Sequence, residues 1–449
     1  MIRYLVRLWS LLAIGMVSVP FLWAAAPSLP SGLGGSGSVP SLPSGLGGGD
    51  ARGDTSTGVE SGLDVTGFIE ARYGRRLSRA GSYSDTTLEE LRGRLDWERE
   101  FGAVLLNASV DFLYDGEVDK QEFDLESGQS WLDLRVLNLE FGVFDSLDLK
   151  VGRQVATWGV GDLVFINDLF SKDWNSFFLG RDVEYLKAPQ DSVRASWYQE
   201  WANIDLVYSP QFESDRFIDG ERLVYFDGAS GGLIREPSAI DVDERNQSFD
   251  DDEIHLRVSR LFGSVEYAAY AYSGFWKSPA GMDTETGLSV FPRLAVYGMS
   301  ARGPLARGVV SFEGGYYDSH DYGRHVSQLV RPSESRLLIG YERELGTDLT
   351  GSLQYYVESP RGNEEGAKDR EMVTLRLRKQ LMQQRLTLSL FVFYSPSDYD
   401  SYSRLGAIWK ATDDWRYDVG VNLFRGTDRS FFGQFGENDN AYVGLRRVF

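Results

Sequence analysis

From Val65 to the last residue, apolar and polar side chains alternate with a period of two, segment after segment. Between Gly308 and Tyr317, Val310, Phe312 and Tyr316 share one face while Ser311 and Glu313 take the other. Leu337, Ile339 and Tyr341 oppose Arg336 and Glu342, and Val373, Leu375 and Leu377 oppose Thr374, Arg376 and Arg378. Successive side chains on a strand point to opposite faces, so this period predicts strands throughout. What separates the strands decides what they build. Short turns, such as Arg99–Gly102, Phe262–Gly263 and Ala411–Asp414, alternate with nine long connections, among them Asp115–Ser130, Val155–Asp191 and Ser209–Asp252. Short turns at one end and long loops at the other are the pattern of a transmembrane antiparallel β-barrel. The expectation is an all-β fold of about 18 strands, range 16–18, because Trp131–Phe141 changes alternation phase near Leu137 as a bulge would make it.

A mean hydropathy of −0.29 conceals such a chain from a hydropathy scan, since barrel strands need only about 9–11 residues with apolar groups at every second position. Aromatic residues make up 13% of the sequence. Tyr and Trp suit positions that are greasy at one end and wet at the other. Strands entering long loops end in Tyr73, Tyr114, Tyr208, Tyr272, Tyr317, Tyr356, Tyr394 and Phe424, and Trp97, Phe101, Phe141, Trp201, Phe262, Trp415 and Phe449 lie near short turns. Two aromatic girdles are expected.

Arg3 and Arg7 precede an apolar run from about Leu8 to Val19 and small residues at Ala24–Ala26, which reads as a secretory signal over residues 1–26. Residues 27–62 hold PSLPSGLGG twice, with almost no charge and no apolar face, and are expected to be a disordered Pro/Gly/Ser-rich periplasmic leader. The barrel is assigned to 63–449. Cysteine is absent, which removes disulfides and thiol chemistry from consideration. A formal charge of −20 argues against a nucleic-acid partner.

The chain closes with NAYVGLRRVF, in which Ala441, Val443, Leu445 and Phe449 share a face. This resembles the C-terminal strand of outer-membrane proteins, and the resemblance implies that the barrel-insertion machinery reads Phe449. Arg447 stands where that pattern usually has an apolar residue; near the rim its head group can snorkel to water. Outer-membrane lipid and lipopolysaccharide are then the surroundings expected for the barrel.

An 18-strand cylinder is too wide for side chains alone to fill, so it is a channel or is plugged by loops. Its polar faces carry Arg72, Arg92, Arg94, Lys150, Arg194, Arg257, Arg376, Arg378, Arg404, Lys410, Arg416 and Arg446 against Glu70, Asp96, Glu98, Asp148, Glu266, Glu313, Glu342 and Asp418, a wall that is mixed and somewhat basic. Much of the acidic excess falls in the loops, notably Ser209–Asp252, so net charge does not forecast ion selectivity. The third long loop, Val155–Asp191, is rich in Leu163, Val164, Phe165, Ile166, Phe170, Trp174, Phe177 and Phe178. Such residues are costly at a tip in water. They predict a loop folded inward, as in general porins, acting as a constriction or a plug. Arg153, Gln154, Trp158, Asp162, Asn167, Asp168, Asp173 and Arg181 are its candidate site residues.

Gly152, Arg153 and Gln154, then Trp158 and Gly159, then Asp162, Asn167 and Asp168, resemble the GRQ…WG…D segment of several poorly characterised families of large proteobacterial outer-membrane barrels. The match covers about 40 residues and lacks the Asn-Pro those families commonly show after the Asp. It implies an outer-membrane barrel of channel type and names no substrate.

Other constellations carry less. The run Phe249–His255 offers carboxylates without the spacing of an EF-hand, and His320 and His325 sit with Asp318 and Asp321 in a long loop. His255 is followed by Ser259, which along a strand is some 13 Å away, too far for a nucleophile–base pair. The expected function is a channel for small hydrophilic solutes, without enzymatic activity, metal or cofactor. An export conduit, or a sleeve for a periplasmic or secreted partner, is the alternative; an outer-membrane hydrolase has least support. The apolar outer face leaves a homo-oligomer open.

Overall fold

The computed structural model describes residues 65–77, 84–118, 121, 123–227, 232–234, 241–321, 328–361 and 368–449. The export signal expected at 1–26 and the leader at 27–62 lie outside these residues. Eighteen strands form one sheet. In chain order they are β1 (Val65–Arg76), β2 (Thr86–Phe101), β3 (Val104–Asp115), β4 (Leu132–Phe144), β5 (Leu147–Gln154), β6 (Gln190–Tyr198), β7 (Asn203–Ser209), β8 (Glu253–Phe262) and β9 (Val265–Phe275). The second half continues with β10 (Arg293–Leu305), β11 (Gly308–Ser319), β12 (Glu334–Gly346), β13 (Leu349–Pro360), β14 (Arg370–Leu381), β15 (Leu386–Ser395), β16 (Asp400–Lys410), β17 (Trp415–Arg425) and β18 (Asn440–Val448).

Each strand pairs antiparallel with the next, and β1 pairs with β18 from Phe68↔Val448 to Arg76↔Asn440. The sheet is therefore a closed cylinder, sealed at the seam by Gly67 N–H to Phe449 O and Phe449 N–H to Gly67 O, both 3.0 Å. Closure satisfies the ladder hydrogen bonds and leaves no exposed edge, as a strand structure in hydrocarbon must. Side-chain parity follows the sequence: Ile69, Leu95, Leu139, Ile339 and Leu353 are exposed on the outside, while Glu70, Arg72, Arg92, Asp111 and Asp133 are buried within. A water-soluble protein has the opposite arrangement.

The phase change expected near Leu137 is a register shift: Ser109 faces Val136, Val110 faces Leu134, and Arg135 between them is passed over. At the short-turn rim Phe101, Phe144, Trp201, Phe262 and Phe449 are exposed, and the Arg447 guanidinium lies 5.6 Å from the Trp415 ring centre. The opposite rim corrects half of the expected girdle. Tyr73, Tyr114, Tyr208 and the exposed Tyr394 point outward, between buried inward-facing neighbours, whereas Tyr272, Tyr317, Tyr356 and Phe424 are buried and share the parity of lumen residues. They turn inward because the inward-folded connection gives them an apolar partner. The molecule's main hydrophobic cluster is accordingly inside the cylinder, where Ile166, Phe177, Phe178, Leu179 and Leu186 meet Leu88, Tyr317, Leu338, Phe391, Tyr402 and Phe424 of the wall.

Candidate functional site

The connection between β5 and β6, residues 155–189, enters the lumen. Gly152 starts it: its φ of +122° and a would-be Cβ 2.3 Å from Leu137 O admit no side chain. After that kink Arg153 pairs in register with the exposed Leu137 and with Asp191, on the outer side of the wall rather than in the lumen. It donates to Leu134 O at 2.8 Å and lies 3.3 Å from both Asp191 and Glu213, bracing the rim. Gln154 donates to Ser192 O at 3.1 Å.

From there the chain crosses to the far wall. Trp158 packs edge-on against Phe170 at 5.0 Å. The Glu313 carboxylate on β11 accepts from the N–H groups of Val160 and Gly161, both 2.9 Å, from Asn167 N–H at 2.8 Å and from Asn167 Nδ2 at 3.0 Å. Ile166 and Asn167 settle over Gly298 and Gly315, cross-strand partners on β10 and β11 where a Cβ would lie 1.7 Å from Asn167 Oδ1 and 2.9 Å from Ile166 Cγ2. The Tyr317 hydroxyl donates to Ile166 O. Asp162 accepts from Arg376 Nη1 at 2.9 and 3.0 Å. Burial raises the Asp162 carboxyl above its ordinary range, and Arg376 offsets only part of that.

The return path is pinned by charge. Asp168 accepts from Thr157 Oγ1 at 2.6 Å and Lys172 Nζ at 2.9 Å. Asp173 caps the one-turn helix α1 (Trp174–Leu179) by accepting Ser176 N–H at 2.7 Å. Arg181 clamps Glu90 with bonds of 2.6 and 2.8 Å, and Asp182 pairs with Arg416 and lies 3.5 Å from Arg446. Burial pushes the Asp182 carboxyl up, but Arg416, Arg446 and Arg72 around it prevail and hold it well below the usual range. Glu184 bonds Arg94 and Arg446 at 3.1 and 3.0 Å, and Arg92 and Arg135 stand 4.2 and 4.9 Å over the Tyr185 ring.

Most of the expected constriction residues thus brace the loop. Arg153, Gln154, Asp162, Asn167, Asp168 and Asp173 are buried in bonds to wall or loop, and Arg181, itself bonded to Glu90, lines a cavity in the lumen. Of the expected wall residues, Arg92 and Arg94 hold Asp111, each at 2.6 Å, Arg194 holds Asp205 at 2.8 Å, and Arg257 holds Glu266 at 2.5 Å. Asp418 sits 2.8 Å from Arg72. Arg376, Arg378, Arg404 and Arg416 come together with Arg72 around a cavity of about 80 Å³ between the loop and β14–β17. Arg181, Asp182 and Asp418 also line it, with apolar groups that include Leu163, Phe177, Phe391, Ile408 and Tyr442. Arg378 Nε is buried without a hydrogen-bond partner, and Arg404 donates to main-chain oxygens of Phe177 and Arg181. The space exceeds what one water needs, at about 10–15 Å³.

A second inward segment was not legible as one. Residues 211–224, at the start of the acidic connection after β7, run along the 155–189 loop: Lys172 N–H bonds Asp215 at 2.8 Å, Trp174 N–H bonds Arg216 O at 3.1 Å, and Asn175 bonds Phe217 O at 2.9 Å. Arg222 pairs with Asp115 and donates to Thr87 O at 2.8 Å, and Val224 N–H reaches Asn438, in the long connection between β17 and β18, at 3.0 Å. Phe212, Phe217, Leu223 and Val224 were its signal, by the argument applied to the third loop.

The histidine candidates do not assemble a catalytic group. His255 is buried 4.3 Å from the Phe170 ring, and its Nε2 has no hydrogen-bond partner. His320 is 3.3 Å from Asp318 at the surface, and His325 lies outside the described residues. In the acidic run, Asp251 pairs with Arg245 at 3.2 Å.

No protein-family model matches the chain, and no curated protein sequence matches it. Among solved structures, Acinetobacter baumannii OccAB1 aligns at a TM-score of 0.54 and 10% identity, over 87% of this chain and 98% of its own. OccAB4 of the same organism aligns at 0.54 and 9% identity, over 86% and 97%. Pseudomonas aeruginosa OccK11 (OpdR) aligns at 0.50 and 10% identity, over 86% and 95%. The similarity is one of fold: a closed β-barrel along nearly its whole length.

Proposed function

We propose that this protein is an outer-membrane channel for small hydrophilic solutes, narrowed by residues 155–189 and biased toward anions. The observation that carries the reading is the cavity where Arg72, Arg181, Arg376, Arg378, Arg404 and Arg416 face two carboxylates, Asp182 and Asp418. A low-dielectric wall focuses such a field, so the narrow region sets selectivity whatever the bulk charge. The apolar outer face and the closed ladder support a place in lipid, with lipopolysaccharide around the outer rim and Phe449 offered to the insertion machinery. The reading takes residues 1–26 as the export signal and 27–62 as a periplasmic leader, and it needs no catalytic group or cofactor. Two inward segments leave a passage suited to small solutes more than to a polymer or a sleeved partner.

Planar-bilayer recording under a salt gradient tests this. Steady conductance with a reversal potential on the anion side is expected, and Arg378→Glu should move that potential toward the cation side without loss of folding. A silent wild type, or a cation preference that Arg378→Glu leaves in place, defeats the proposal.

A further inference from the structure

Glu313 is a fully buried carboxylate that forms no ion pair among the described residues. A buried charge persists only where hydrogen bonds replace its hydration. All four of its contacts come from donors on a single 8-residue stretch of the inward loop: two N–H groups on Oε2, one N–H and one amide NH₂ on Oε1. A proton on either oxygen would point at a donor, so the geometry fits the ionised form. Gly159, with φ +86°, brings the main chain so close that a Cβ there would lie 2.8 Å from Glu313 Oε1. Gly298 and Gly315 clear the hollow into which Ile166 and Asn167 drop. The WGVG and IN parts of the segment are thereby explained by a wall residue some 150 positions away.

We infer that Glu313 is a positioning residue: its negative charge, captured by the main-chain N–H groups of residues 160–167, holds the loop in its narrowing position. The role rests on the channel reading for its consequence, though the capture itself can be tested without it. The pin acts at the loop's far side from β5 and β6. Without it, the stretch 158–167 keeps the Tyr317 hydroxyl, the Asp162–Arg376 pair, the donation of Asn167 Nδ2 to Gly314 O at 3.3 Å and the contact of Trp158 with Tyr270.

The experiment compares Glu313→Gln, which turns an amide NH₂ toward N–H donors, with Asn167→Asp, which sets a second carboxylate 3.0 Å from Glu313 Oε1 and alters only the loop. Both are expected to keep the heat-modifiable mobility of a folded barrel, to raise single-channel conductance with flicker, and to weaken anion preference. The absence of native cysteine permits a rescue. A Cβ on Gly298 would lie 2.6 Å from Asn167 Cγ, so cysteines at 167 and 298 are within disulfide reach. In Glu313→Gln the oxidised pair should restore wild-type conductance, and reduction should abolish the rescue. A separate Leu163→Cys reporter, on the cavity lining, should react faster with a membrane-impermeant thiol reagent in Glu313→Gln than in wild type. Unchanged conductance and unchanged labelling in both variants overturn the inference. A wild type silent in bilayers whose Leu163→Cys reporter still accelerates in Glu313→Gln would sink the channel reading and leave the pin standing. If Glu313→Gln fails to fold, Asn167→Asp alone decides.

Discussion

Asp162 and Asp182 lie on the same loop, each against wall arginines, and burial and charge resolve in opposite senses. Asp162 is raised, so its ionised form costs stability at neutral pH, and that cost disappears as pH falls through its folded pKa, above the ordinary 3.8. Asp182 is depressed, so the stability it contributes is present above its unfolded pKa and is lost only as pH falls toward its folded value. Acidification should therefore neutralise Asp162 first, freeing Arg376 toward the cavity while Asp182 still anchors the return path. The expected record on acidification is anion preference that rises before any increase in conductance noise; noise appearing first reverses the order. The motif residues were visible in the sequence as members of one loop, yet their division of labour was not. Arg153, Asn167 and Asp173 carry the same polarity as a pore-lining residue, and only the partner brought by the fold, such as Glu313 or the Ser176 N–H, turns them into braces.

Among elements, strand number and the alternation of short and long connections were legible because each strand's parity is written in its own residues. The second inward segment was not, because its acidic surroundings resemble a solvated loop and its docking depends on distant groups: Asp133, Asp115 and Asn438. Lumen-facing Tyr272 and Tyr317 were misplaced for a related reason, since a strand-end tyrosine suits either a lipid boundary or an apolar plug. Segment 211–224 lies along α1 and its flanks, so replacing residues 212–223 by a flexible Gly/Ser linker should raise conductance and speed proteolysis between 160 and 185 in detergent. An unaltered cleavage rate would mean that the segment merely rests there. Arg222, buried between Glu90 and Asp115, is part of the same brace as Arg181, so removing Glu90 alone leaves two buried arginines to share the Asp115 carboxylate.

For the molecule as a whole, a cylinder greasy outside and charged inside reverses the usual tolerance of exposed positions. Leu353, 56% exposed in mid-strand, would accept Arg at little cost in water. In a bilayer the same Leu353→Arg change should cost about 2–4 kcal/mol, read as a lowered urea midpoint in lipid vesicles. No loss of stability there would place that face out of hydrocarbon. The seam between β1 and β18 has a consequence for how the molecule is made. Phe68 and Val448 are register partners nearly four hundred residues apart in the chain, so the pairing that abolishes the last open edge has almost the largest loop-closure entropy available to it. A ribosome emits the first partner long before the second, and until they meet the sheet has two sticky borders. Assembly of this chain thus ends in a single clasp, the last contact to form and the one whose opening would return both borders at once.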